Sequence, residues 1–222
     1  MIATFFHNWE RRLADVSKDR VVRPFEWGAD WISSNGHDGL EPSAYLERWV
    51  EDVMRDTQAF FTPPSTTDFR FTEASADLAR QGEAGTLRFP SAMVTPHPEN
   101  NIVAGRWFPA RDEAPVGHSR TRGRAVIVLP QWNSDAGGHI GLSKLLARFG
   151  VSALRLSLPY HDGRMPPELT RADYIVSSNI ARTVQVCRQA VLDTRRAIDW
   201  LASQGSSESG FSAPASDRVW QC

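Results

Sequence analysis

Cysteine is scarce in this chain: two residues in 222, Cys187 and Cys222. One falls in a helical pattern and the other at the terminus, so neither a disulfide framework nor the paired spacing of a zinc site is present. An excess of one charge is missing too. Lys and Arg number 25 against 26 Asp and Glu, a formal net charge of −1. No Lys/Arg-rich stripe exists to meet phosphates, which excludes a nucleic-acid partner. No apolar run is long enough to span a bilayer, and "MIATFFHNWERRLADVSKDR" reaches charged residues too soon for a secretory h-region. G-x-G-x-x-G and G-x-x-x-x-G-K-[ST] are both absent, so dinucleotide and P-loop chemistry lack their glycine cradles. The expectation is a soluble cytoplasmic protein with no cofactor, no metal and no firm membrane signal.

What is present reads in three stretches. The length, with 41% hydrophobic residues, suits one α/β domain carrying an N-terminal extension. Residues 1–80 form that extension, helical and rich in aromatics. In "EPSAYLERWVEDVMRDTQAFF", Tyr45, Leu46, Trp49, Val53, Phe60 and Phe61 recur mostly three, four or seven apart, which predicts one amphipathic helix from Glu41-Pro42-Ser43 to Pro63-Pro64. Four of the eight tryptophans lie before residue 50, and their expected role is to dock this extension onto the domain.

Residues 81–205 alternate strand and helix. "GTLRFPSAMVT" and "NNIVAGRWFPA", separated by "PHPENN", predict an antiparallel hairpin. "RAVIVLP" predicts a strand buried on both faces of a parallel sheet. "HIGLSKLLARFG" predicts a helix with Ile140, Leu142, Leu145, Leu146 and Phe149 on its core face, stopped at Gly150. "VSALRLSLP" follows as a strand. "ADYIVSSNIARTVQVCRQAVLDTRRAIDWLASQG" predicts a long helix packing through Val176, Ile180, Val184, Cys187, Val191, Ile198 and Leu201. The order gives an α/β fold, an antiparallel hairpin followed by a mostly parallel sheet with flanking helices. The pattern stops at residue 206, and 206–222 reads as a disordered or non-native tail.

Ligands in such sheets meet the loops at the carboxyl ends of the strands. "VIVLPQWNSDAGG" and "SALRLSLPYHDGR" are those loops, and with the "RPFEWGADW" arm and the long helix they resemble the α/β-hydrolase family, in particular bacterial relatives of abhydrolase domain-containing protein 18. The likeness runs roughly from Arg23 to Gly205. It implies the N-terminal part of an α/β-hydrolase fold and cleavage of an ester-like small molecule by a Ser–His–acid triad in intact relatives. It further implies an oxyanion-hole loop at Gln131, Trp132 and Asn133, with a backbone N–H near Trp132 or Asn133 facing the developing charge. Without that role, Pro130 to Asp135 simply turns the chain into a helix capped by Ser134 or Asp135. Tyr160, His161, Asp162 and Arg164 are candidate pocket residues. His161 and Asp162 are not read as a dyad, because the family's acid and base follow its nucleophile. His139 is expected to start a helix and Cys187 to lie in the core.

The nucleophile is missing. G-x-S-x-G occurs nowhere, and no catalytic residue can be assigned. Permitted codons for Gly205 to Cys222, read two bases out of frame, encode QQRVGILGTSLGSCVAM, an apolar strand followed by G-T-S-L-G. A frameshift near Gly205 is therefore expected to have truncated the enzyme and left this chain inactive. It should also have left an unstable half-sheet with an exposed edge at the Ala153 to Leu158 strand. The alternative is a non-catalytic α/β protein that binds a small molecule or a protein.

Overall fold

The computed structural model describes residues 2–16, 23–33, 39–110 and 124–208. The tail expected to be non-native lies outside them from residue 209 onward.

Five strands form one mixed sheet: β1 (Arg70–Glu73), β2 (Gly85–Pro90), β3 (Ile102–Phe108), β4 (Ala125–Val128) and β5 (Ser152–Leu156), in the order β1-β2-β3-β5-β4. The expected hairpin is present, with β2 antiparallel to β3 from Gly85↔Trp107 to Pro90↔Ile102. β1 falls within the stretch read as a helical extension, yet it pairs antiparallel with β2. β5 is antiparallel to β3 and parallel to β4, so only one of the four pairs is parallel and the sheet is not the mostly parallel one expected.

Strand alternation assigns the two faces. Leu87 and Phe89 of β2, Val103 of β3, and Leu154 and Leu156 of β5 share one core with Ala197, Trp200 and Leu201 of α6 (Ile180–Glu208). Phe108, Val128 and Ala153 point to the other face and pack on Ala147 of α5 (Ile140–Arg148). The sheet is thus covered by one helix on each side, the layering that a strand–helix–strand sequence dictates.

Three expectations change here. First, the outer strands among the described residues are β1 and β4, because β5 inserts between β3 and β4. The Ala153 to Leu158 region is interior. The apolar run of β4 is accordingly not buried on both faces, and Val126 is 36% exposed. Second, the apolar stripe of the long helix points outward from Val176 to Val191, while its end at Leu201 is buried as expected. Ile180, Val184, Cys187 and Val191 are exposed, whereas Ala181, Gln185, Gln189, Leu192, Asp193 and Ala197 face the body. Cys187 is therefore not a core residue. Leu142, Leu145 and Phe149 of α5 are likewise exposed, while Ser143 and Ala147 are buried. Third, the helices are shorter than the apolar pattern implies. Residues 172–179 are turns, and the Asn179 side chain accepts from the Arg182 N–H to start α6. The extension's helix breaks into α2 (Pro42–Arg55) and a single turn, α3 (Thr57–Phe60), because Asp56 caps the Ala59 N–H.

The arm docks, but through its backbone and Trp31 rather than through all the tryptophans expected to do so, since Trp27 is 41% exposed. Backbone carbonyls of Glu26 and Trp27 accept the Ile180 and Ala181 N–H groups, so the arm satisfies donors that a helix start leaves unpaired. Gly28, at φ 70, crosses so close to Asn179 that a Cβ would overlap its side-chain amide. Trp31 packs with Tyr160, Ala172 and Ile175. The first helix, α1 (Ile2–Val16), is amphipathic and leaves Phe6 and Trp9 about half exposed.

Candidate functional site

The loops after β4 and β5 meet at one end of the sheet. Every non-glycine residue with positive φ among those described lies there: Asn133 at 58°, His139 at 65°, Tyr160 at 61° and Asp162 at 52°. Such backbone costs energy for a side chain with a Cβ, and it persists where surrounding contacts over-determine it. Those contacts come from residues that the sequence reading passed over.

Arg155 of β5 is the main tie. It points to the α5 face, its side chain is 2% exposed, and all three of its nitrogens donate. Nε donates to the Gly138 carbonyl at 3.2 Å and Nη2 to the Asp135 carbonyl at 3.1 Å, which fixes the glycine turn entering α5. Nη1 reaches Asp162 and Ser157, and Ser157 Oγ also donates to Asp162 at 2.6 Å. One arginine thereby locks the β4 loop to the β5 loop. An arginine inside an otherwise apolar strand was the visible signal.

The expected oxyanion-loop residues come together with the expected pocket residues. Asn133 N–H donates to His161 Nε2 at 2.9 Å, and Asn133 Oδ1 accepts the Ala172 N–H at 3.2 Å. Trp132 Nε1 donates to the Ala172 carbonyl at 3.1 Å, with the Arg171 guanidinium 5.1 Å from its ring centroid. Gln131 is exposed, and its carbonyl accepts the Ser134 N–H to close the turn. His161 is 1% exposed, and its other nitrogen, Nδ1, lies 2.9 Å from the Pro159 carbonyl. A carbonyl can only accept, so Nδ1 carries the proton and Nε2 is the acceptor. Burial pushes the His161 pKa below its usual value, consistent with this neutral form.

Tyr160 and Arg164 are placed differently from residues lining an open pocket. Arg164 is 1% exposed and bonds inward, to the Ser157 and Asn100 carbonyls and to Asp193 at 2.8 Å. Asp193 also accepts from Ser91 Oγ and the Ala92 N–H. Tyr160 is fully buried, and its hydroxyl lies 3.0 Å from His97 Nδ1, while His97 Nε2 lies 3.3 Å from Glu168. This Tyr–His–Glu chain resembles a nucleophile–base–acid relay, but burial raises the Tyr160 pKa and disfavours the phenolate that attack would need. Asp162 keeps one oxygen, Oδ1, buried without a hydrogen-bond partner in the described residues, as is His139 Nδ1. His139 occupies the N-cap position of α5, as expected.

No group of three His, Cys, Asp or Glu among the described residues could hold a metal ion. No described helix is long and apolar enough to cross a membrane. The fold and site define a mixed α/β protein with a five-stranded sheet whose structured loops cluster at the carboxyl ends of β4 and β5. No protein-family model matches the chain, and no curated protein matches it.

Proposed function

We propose that this chain carries the first half of a serine-hydrolase-type acyl-transfer site, with the Gln131–Asn133 loop as its oxyanion-stabilising element. The observation that carries the reading is the position of β4. α5 covers one face after β4, β5 returns to the inside of the sheet, and α6 crosses the opposite face against Ala125 and Ile127. A strand following α6 would add at β4's free edge, which makes the end of β4 a switch point where such sheets bind ligands. The loop at that point is the one with the strained Asn133. A nucleophile delivered by the added strand would stand beside backbone donors of this loop, the geometry that acyl transfer requires. The described residues supply no Ser–His–acid triad of their own, so this chain alone is proposed to give no ester turnover.

The test is a DNA read through codon 205 and beyond, with the product of any shifted open frame assayed on p-nitrophenyl butyrate. A frame encoding G-x-S-x-G followed by an Asp and a His, and ester cleavage lost on replacing that Ser, supports the reading. No such frame, or cleavage that ignores the Ser, overturns it. A second reading, a protein-binding module, is favoured by the outward stripe of Ile180, Val184 and Val191, each 37–40% exposed. Loss of self-association or of partner binding on charging that stripe would support it.

A further inference from the structure

We propose that His161 is a pH-operated latch on the loop after β4: neutral, it holds the loop shut by accepting the Asn133 N–H, and protonated, it releases it. The catalytic consequence rests on the acyl-transfer reading above, since the captured N–H is one of the donors assigned to the oxyanion; the latch itself does not.

The geometry leaves the imidazole one working state. Pro159's carbonyl takes the Nδ1 proton at 2.9 Å, and Nε2 meets the Asn133 N–H at 2.9 Å. A second proton can go only to Nε2. It would then set two donors nose to nose at hydrogen-bond distance, turning an attraction into a repulsion at a ring that is 1% exposed. The segment facing His161 is already strained, with Asn133 at φ 58°, so reversing that bond removes one of the contacts that hold it there. Two bonds to Ala172, from Trp132 Nε1 and to Asn133 Oδ1, would be carried away with the moving backbone.

The neighbouring charges set the threshold. Asp162 favours the imidazolium, although one of its oxygens, Oδ2, is already taken by Arg155 and Ser157. Arg155 from β5 and Arg164 from the following turn oppose it, Arg164 being paired to Asp193 of α6. From the facing 171–173 segment, Arg171 is paired to Asp173 and lies over Trp132. Burial is the largest influence and acts with the two arginines, against the hydrogen bond to the Pro159 carbonyl and the Asp162 charge. The latch therefore stays shut at neutral pH and opens below the usual histidine value of 6.5.

The experiment is a pH titration of the full-length, ¹⁵N-labelled chain by NMR from about pH 8 to about pH 5. It follows the His161 ring nitrogens and the Trp132 indole N–H, the latter assigned with Trp132→Phe. Support is a single Nδ1–H tautomer at the upper end, then loss of the Trp132 hydrogen-bonded signal with the same midpoint as His161 protonation, below 6.5. His161→Gln offers Nε2's acceptor role without titrating, and its Trp132 signal should stay unchanged down the same range. The latch is overturned if Trp132 responds at a different pH from His161, if His161 protonates while Trp132 stays put, or if His161→Gln shows the same transition. Should His161→Gln fail to fold, the coincidence of midpoints in the unaltered chain decides. No ester is used, so failure of the hydrolase reading would leave this result standing, and failure of the latch would leave the hydrolase test standing.

Discussion

Replacing Asp193 with Ala would remove the carboxylate that balances a guanidinium buried to 1% exposure. Arg164 has no route to water, and its other donors are fixed on the Ser157 and Asn100 carbonyls. Breaking a buried pair from one side costs about 3–5 kcal/mol, because the remaining charge stays desolvated. Ser91 Oγ and the Ala92 N–H lose their acceptor as well, at about 1 kcal/mol each. These contributions overlap, so the expected loss is about 4–6 kcal/mol, a large part of the roughly 5–15 kcal/mol that holds a domain together. Urea unfolding monitored by circular dichroism and tryptophan fluorescence would measure it. The double change Arg164→Met with Asp193→Leu leaves no buried charge and should cost less than Asp193→Ala alone. A loss under about 1 kcal/mol for Asp193→Ala, or a double variant as damaged as the sum of its parts, would refute the account of this staple. Because Arg164 also fixes the turn that carries His161, the Trp132 environment should change in the same variant.

Other perturbations probe separate parts of the fold. His161 is held below its unfolded pKa, so its contribution to stability is intact above pH 6.5 and declines as pH falls toward its lower folded value. The slope is at most about 1.4 kcal/mol per pH unit within that window, and His161→Gln should flatten it in urea unfolding run at stepped pH. Gly85→Ala would drive a Cβ into the Thr72 backbone carbonyl, which no rotamer can relieve. A loss of about 1–3 kcal/mol is expected, and an unchanged thermal midpoint would contradict the β1–β2 register. Val126→Lys puts a charge on the uncovered edge strand and should reduce concentration-dependent light scattering without lowering the melting temperature. Trp132→Phe removes the indole bond to Ala172 and should cost about 1 kcal/mol while making the loop easier for chymotrypsin to cut.

The local elements were legible in the sequence because they depend on neighbours along the chain. The hairpin of β2 and β3, the strand–helix–strand run through β4, α5 and β5, and the docking role of the aromatic arm all follow from periodicity and turn residues. The placement of Trp132, Asn133, His161 and Asp162 at one end of the sheet followed from where the strands stop. Which of their atoms meet did not, since Asn133 and His161 are 28 residues apart.

Tertiary structure alone decided which face of α6 is inside. The apolar residues Ile180, Val184 and Val191 mark one side of the helix, and hydrophobic spacing assigns that side to the core. The opposite side is buried instead: it carries Leu192, Ala197, Trp200 and Leu201, and its polar residues have partners far away in sequence. Gln189 bonds Ser91 and Asn100, Asp193 holds Arg164, and Arg196 donates to the carbonyls of Pro64 and Pro90. A satisfied polar group is cheap to bury, and only the folded chain shows that it is satisfied. The same holds at the sheet edge. The apolar run of β4 is equally suited to a central or an edge strand, and only the insertion of β5 beside β3 leaves β4 outermost. Sequence determined what each segment is; the pairing of distant polar groups and strands determined which way it faces.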